Sequence, residues 1–117
     1  MYEIRIKSEF AGAHNLRGYK GKCESLHGHN WKVEAILYSD SLNSQGMVMD
    51  FREFKSKLNR VLEGLDHKYM NSLPYFKKVN PTSENIACYI HKKLTPLLKK
   101  KLKISVWETD TSSASFE

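Results

Sequence analysis

The chain has 117 residues, enough for a single domain spanning 1–117 with a modest core, and its evenly spread charges and 40% apolar content exclude wholesale disorder. No apolar run approaches membrane-spanning length, and the opening Met1-Tyr2-Glu3-Ile4-Arg5 lacks a signal-peptide pattern, so a cytoplasmic protein with reduced thiols at Cys23 and Cys88 is expected. The formal charge of +6 favours anionic company, but no helix-turn-helix, RNP-like or zinc-finger spacing points to nucleic acid, and the lysines at 92–93, 99–101 and 103 read as a solvated helix face and its C-terminal end.

Tyr2 to Lys7 alternates apolar and charged residues, which predicts a half-buried strand continuing to about His14. Asn15 to Leu26 lacks periodicity and contains Gly18 and Gly21, as a connecting loop does. His29 to Tyr38 is rich in branched and aromatic residues and forms the second predicted strand. Asp50 stands as a helix N-cap, with Glu53 placed as in a capping box, ahead of Phe51, Phe54, Leu58, Val61, Leu62 and Leu65 at helical spacing. Tyr69 to Asn80 reads as loop. A second helix opens at Pro81-Thr82-Ser83-Glu84, with Thr82 as N-cap and a stripe of Ile86, Tyr89, Ile90, Leu94 and Leu97, and Pro96 ends or kinks it. Leu102 to Thr109 and Ser112 to Phe116 complete a ββααββ order, an α+β antiparallel sheet of four strands with both helices on one face.

His27-Gly28-His29 carries the sharpest chemical signal. On a strand, residues two apart share a face at roughly 6.6 Å along the chain, so two imidazoles can converge on one ion. Gly28 would spare the facing layer a crowding side chain. His14, at the end of the first strand, can join them across an antiparallel pair, and three histidines with an open position make a catalytic zinc arrangement. Cys23 offers an alternative, a closed structural site of one cysteine and three histidines. A lone His-Gly-His is otherwise a weak pattern. Glu108 shares a strand face with Ile104 and Val106, and a carboxylate at the end of an apolar face is costly unless paired or bound to a ligand. His91, on a lysine-rich helix face, reads as surface and stays outside the site.

Several segments together resemble the 6-pyruvoyltetrahydropterin synthase superfamily: Phe10-Ala11-Gly12-Ala13-His14, Cys23-Glu24-Ser25-Leu26-His27-Gly28-His29, Met49-Asp50-Phe51, Leu65-Asp66-His67, Pro81-Thr82-Ser83-Glu84-Asn85 and Trp107-Glu108-Thr109. They occur in family order over essentially the whole chain. The Cys-x-x-x-His-Gly-His spacing is similar to the bacterial 6-carboxytetrahydropterin synthase branch, of the queuosine (7-deazapurine) pathway. Gly12 departs from the alanine more usual there, a matter of packing.

The resemblance implies a tunnelling fold in which sheets close into an oligomeric barrel, commonly a homohexamer. It implies Zn2+ on His14, His27 and His29, Cys23 as general base, and Asp66 with His67 as a proton-transfer pair working across a subunit boundary. Glu108 then anchors the pterin, whose amino group and ring N–H one carboxylate can accept together, and Thr82 and Ser83 are further candidates for contact with the ring. The implied substrate is 7,8-dihydroneopterin triphosphate, with Arg17 and Lys22 as candidate triphosphate contacts. A synthase stopping at 6-pyruvoyltetrahydropterin, and a non-catalytic zinc-stabilised binding module, are the alternatives. The module would unfold on chelation and bind RNA or DNA with steep salt dependence.

Overall fold

The computed structural model describes residues 1–18 and 25–117. Strand β1 (Tyr2–His14) pairs antiparallel with β2 (His27–Ser39) along its whole length, from Tyr2 opposite Ser39 to His14 opposite His27. Helix α1 (Phe51–Glu63) follows, then the two-residue strand β3 (Lys68–Tyr69), a 3₁₀ turn (Met70–Ser72), the short helix α2 (Pro74–Lys78) and the long helix α3 (Ser83–Leu98). Strands β4 (Leu102–Thr109) and β5 (Ser112–Phe116) close the chain. The sheet order is β3-β1-β2-β4-β5. The α+β class and the layered arrangement are as expected. The sheet gains a fifth strand because β3 adds a short parallel rung beside Gly12 and Ala13, and the segment read as loop between Tyr69 and Asn80 winds into two short helical turns.

Alternation decides which face is covered. Ile6 and Phe10 of β1, Trp31, Val33, Ala35 and Leu37 of β2, and Leu102, Ile104 and Val106 of β4 point into the core. Phe54, Leu58 and Leu62 of α1 meet them, with Ile86, Ile90 and Leu94 of α3. Helix α1 lies over β1, and α3 over β4 and β5. The opposite sheet face carries alternating charge, with Arg5 3.7 Å from Glu34 and Lys32 2.8 Å from Asp110.

Both predicted caps are present. The Asp50 carboxylate accepts from the Arg52 amide at 2.7 Å and the Thr82 hydroxyl from the Asn85 amide at 3.1 Å. Glu53 does not complete a capping box. It lies 3.4 Å from Lys57, one turn on, so the pairing along the helix surface replaces the reach backwards. Pro96 sits inside α3, which runs on to Leu98 and ends with Lys99 in the left-handed conformation (φ 55°). The basic cluster is partly packed along aromatic rings, with Lys92 over Tyr75 and Lys93 over Tyr89.

Two glycines bear on the site. A methyl group at Gly12 would stand 3.2 Å from the Phe10 ring and 3.4 Å from the Met70 methyl, so the glycine lets that ring and the 3₁₀ turn close in on β1. Gly28 is different. A side chain there would meet only the Gly12 carbonyl at 3.9 Å, so the crowding expected at this position is not found.

Candidate metal centre

The register of β1 against β2 assembles the site. His14 and His27 are directly opposed, and His29 follows two residues along β2 on the same face. Glu108 comes one residue past the last β2–β4 pair, Lys32 with Trp107, on the face that Ile104 and Val106 share. His14, His27, His29 and Glu108 thereby each offer a ligand atom, all within 4.8 Å of one another. The apolar core stops at Trp31, which is wholly buried and forms the floor. Its ring makes edge contacts with His14 and His29 at centroid distances of 4.9 and 5.3 Å, and its indole N–H donates to the Gly12 carbonyl at 3.1 Å. The sequence reading passed over Trp31, although it stands two residues beyond His29 on the same strand face.

Two backbone carbonyls set the imidazole tautomers. His14 Nδ1 lies 2.8 Å from the Pro81 carbonyl and His27 Nδ1 2.7 Å from the Ser25 carbonyl. A carbonyl only accepts, so both Nδ1 atoms carry the proton, and in the neutral rings both Nε2 atoms present lone pairs. Those Nε2 atoms face each other at 2.9 Å. Two lone pairs at that separation repel unless a cation or a proton lies between them. His29 Nε2 is buried without a hydrogen-bond partner. Glu108 Oε1 is 3.0 Å from it but off the direction an N–H would take. Burial lowers the His29 pKa, the neighbouring His27 and His14 lower it further, and Glu108 opposes them. Neutral nitrogens, an orphaned buried one and a carboxylate make a donor set that fits a divalent ion of the zinc class.

The supporting contacts come from far along the chain. Asn71, buried, accepts from the Asn15 amide at 3.0 Å and donates to the Asn15 carbonyl at 2.8 Å, which fixes the residue after His14. Pro81 immediately precedes the Thr82 cap, so the N-terminus of α3 rests against His14, and Thr82 spends its hydroxyl on capping. Ser83 follows as the first residue of α3, half-buried.

The Asp66–His67 pair stands outside this cluster. Asp66 accepts from the Ala11 amide at 2.9 Å, and its other oxygen is 3.0 Å from His67 Nδ1. The Ala11 amide, with His67 adding to it, holds the Asp66 carboxyl below its ordinary range. His67 itself adopts a left-handed backbone (φ 56°), pinned by its amide donating to the Ala11 carbonyl at 2.6 Å, and its ring is largely exposed. His67 and His29 border one open groove of about 500 Å³, with Ala11, Ala13, Gly28 and Tyr69.

Two expectations change. Arg17 has a structural part beside the anion contact expected of it, because one guanidinium nitrogen donates to the carbonyls of Phe76 and Val79. Its backbone is held in turn by Asn80 at 2.9 Å through both N–H and C=O, so Arg17 straps the loop after β1 to the segment before α3. His91 is not a surface side chain. It is half-buried, with Nε2 2.9 Å from the Leu102 carbonyl and its ring edge-on to Phe116 at 4.9 Å, where it joins α3 to the sheet. Cys23 and Lys22 lie outside the described residues. Cys88 carries a free thiol.

Comparison with known proteins gives a consistent answer. Residues 3–117 match the family model described as 6-pyruvoyl tetrahydropterin synthase. The chain is 37% identical to 6-carboxy-5,6,7,8-tetrahydropterin synthase of Synechocystis sp. over 122 residues, covering 99% of this chain and 93% of that one. It is 35% identical to the human 6-pyruvoyl tetrahydrobiopterin synthase over 115 residues, covering 92% and 79%. Among solved structures, the Caenorhabditis elegans 6-pyruvoyl tetrahydropterin synthase superposes with a TM-score of 0.89 at 26% identity, covering 99% of this chain and 94% of that one.

Proposed function

The chain belongs to the 6-pyruvoyl tetrahydropterin synthase family, and we propose that it converts 7,8-dihydroneopterin triphosphate and water to 6-carboxy-5,6,7,8-tetrahydropterin, acetaldehyde and triphosphate, a step of queuosine biosynthesis, with zinc as its metal. The observation that carries this reading is the convergence of His14, His27, His29 and Glu108 on one point. The similarity to the Synechocystis synthase over nearly the whole of both chains supports the carboxy product over the pyruvoyl one.

The three imidazoles would hold the ion, their orientation set by Trp31 and by the carbonyls of Pro81 and Ser25. A zinc ion there supplies Lewis acidity towards the hydroxyls of the substrate side chain. Glu108 accepts the pterin amino group and ring N–H through its two oxygens, which orients the ring, and Thr82 and Ser83 border it. Cys23 is the candidate base for the side-chain proton, and a bound cation close to a thiol would favour its thiolate. Asp66 holds the His67 imidazole through Nδ1, which leaves Nε2 to pass protons to and from the substrate. Lys22 is a candidate for the triphosphate.

An oligomeric barrel with shared active sites follows from the same reading. Among the described residues α1 and α3 pack on the sheet face that carries Phe10, Trp31 and Ile104, β3 and β5 are the two sheet edges, and exposed His67 lies at the β3 edge where a neighbouring subunit can bring its own metal.

Incubation of the zinc-loaded protein with 7,8-dihydroneopterin triphosphate, followed by product analysis, tests the proposal. Stoichiometric acetaldehyde and 6-carboxytetrahydropterin are expected. Accumulation of 6-pyruvoyltetrahydropterin without acetaldehyde would instead make it a synthase of the human kind. A binding module would release no triphosphate.

A further inference from the structure

Glu108 stands among the histidines more closely than a pterin anchor requires. Its Oε1 is 3.0 Å from His29 Nε2, 3.1 Å from His14 Nε2 and 3.8 Å from His27 Nε2, while His14 and His27 Nε2 are 2.9 Å apart. A tetrahedral ion with bonds of about 2.0–2.1 Å sets its ligand atoms about 3.3–3.4 Å apart. These four separations bracket that edge length, so the carboxylate oxygen lies at the spacing from the imidazoles that a fourth ligand atom needs. Among the described residues Glu108 has no lysine or arginine partner; its ion-pair contacts are these three imidazoles. The side chain is 35% exposed near the end of β4, so a rotamer change can carry it away from the histidines.

We infer that Glu108 is the fourth ligand of the ion in the substrate-free protein and exchanges from the ion to the pterin when substrate enters. The inference rests on the pterin-synthase reading for the identity of the incoming ligand. Its logic is stoichiometric. Accepting a pterin amino group and ring N–H side by side uses both carboxylate oxygens, and Oε1 cannot also complete the shell of the ion. The resting ion is therefore closed, and recognition of the ring uncovers the coordination position that the substrate side chain needs. Ion and ring compete for one carboxylate, so each must weaken the other by the same factor. The remainder of the substrate overcomes that antagonism by placing its hydroxyls on the vacated position.

The test uses the full-length metal-free protein, zinc, cobalt(II) as a spectroscopic substitute, and unsubstituted pterin, a ring without the side chain that could reach the ion. Zinc affinity is read by competition with a chelating dye. Glu108→Gln keeps the shape of the side chain but is a poor ligand, and its zinc affinity is expected to fall at least tenfold. In the parent protein, saturating zinc should weaken pterin binding several-fold, pterin should weaken zinc by the same factor, and pterin should change the visible spectrum of the cobalt form. The antagonism in the parent protein keeps the inference testable if the variant folds poorly. Zinc binding by Glu108→Gln within twofold of the parent, with an unaltered cobalt spectrum, would overturn the inference, and a simultaneous loss of pterin affinity would leave the pterin-anchor reading standing. A fall in zinc affinity with no effect of pterin on zinc or cobalt would make Glu108 a permanent ligand and overturn the exchange. Absence of any pterin binding by the parent, with and without zinc, would remove the pterin reading and the exchange together.

Discussion

His14 Nδ1 donates to the carbonyl of Pro81 across 2.8 Å, and that one contact decides which nitrogen of a buried histidine is available to a metal. His27 repeats the device with Ser25. The two carbonyls thus orient both rings so that Nε2, not Nδ1, faces the position an ion would take. His27→Ala and His29→Ala should each abolish stoichiometric zinc, since two nitrogen donors and a carboxylate hold the ion poorly. Full zinc content in both purified variants, measured by atomic absorption, would rule out this centre.

Cys23→Ala separates binding from chemistry. The variant should keep its zinc and its affinity for pterin while turnover falls by at least about a hundredfold, as loss of a general base does. Metal content, pterin titration and single-turnover rates make the comparison. Loss of zinc by this variant would place the thiol in the coordination sphere and bring back the closed site of one cysteine and three histidines.

Trp31→Phe tests the floor of the centre. The smaller ring cannot donate to the buried Gly12 carbonyl, and an unpaired buried acceptor costs about 1–3 kcal/mol. The midpoint of urea unfolding of the metal-free protein should drop accordingly, and zinc affinity should fall with it because His14 and His29 lose the ring that fixes them. An unchanged zinc affinity beside a lowered midpoint would show that Trp31 serves the fold alone.

Asp66 provides a pH signature. Its carboxyl is held below the ordinary range by the Ala11 amide first and by His67 second, so the folded state binds this proton less readily than the unfolded chain does. The stabilisation is complete above the unfolded value of about 3.9 and is lost as pH falls through the lower folded value. Between neutral pH and about pH 3, the metal-free parent should lose more stability than Asp66→Asn. Parallel loss in the two proteins would mean that the Ala11 contact contributes nothing to the acid transition.

Much of this molecule was legible in local pattern. The alternation of Tyr2, Ile4 and Ile6 with charged residues marks a half-buried strand, because on a pleated chain every second side chain faces the core, although Tyr2 at the strand's start is exposed; branched and aromatic residues mark the second strand. Asp50 and Thr82 mark helix starts, since each satisfies an amide that the helix leaves unpaired. The His-Gly-His triplet marks a pair of imidazoles on one face for the same geometric reason. What alternation cannot carry is the identity of the partner across the gap. Local spacing contains nothing of the pairing of His14 with His27, of Glu108 reaching it from 94 residues away, or of the Pro81 carbonyl arriving from 67 residues away. The same is true of Arg17, whose charge suggested an anion and whose guanidinium is turned onto two carbonyls, and of His91, whose lysine neighbours suggested a surface it does not occupy. Periodicity reports which way a side chain points. What it meets depends on strand register and helix packing, which follow from burial of the whole core at once, and so the composition of the centre was decided only in the tertiary structure.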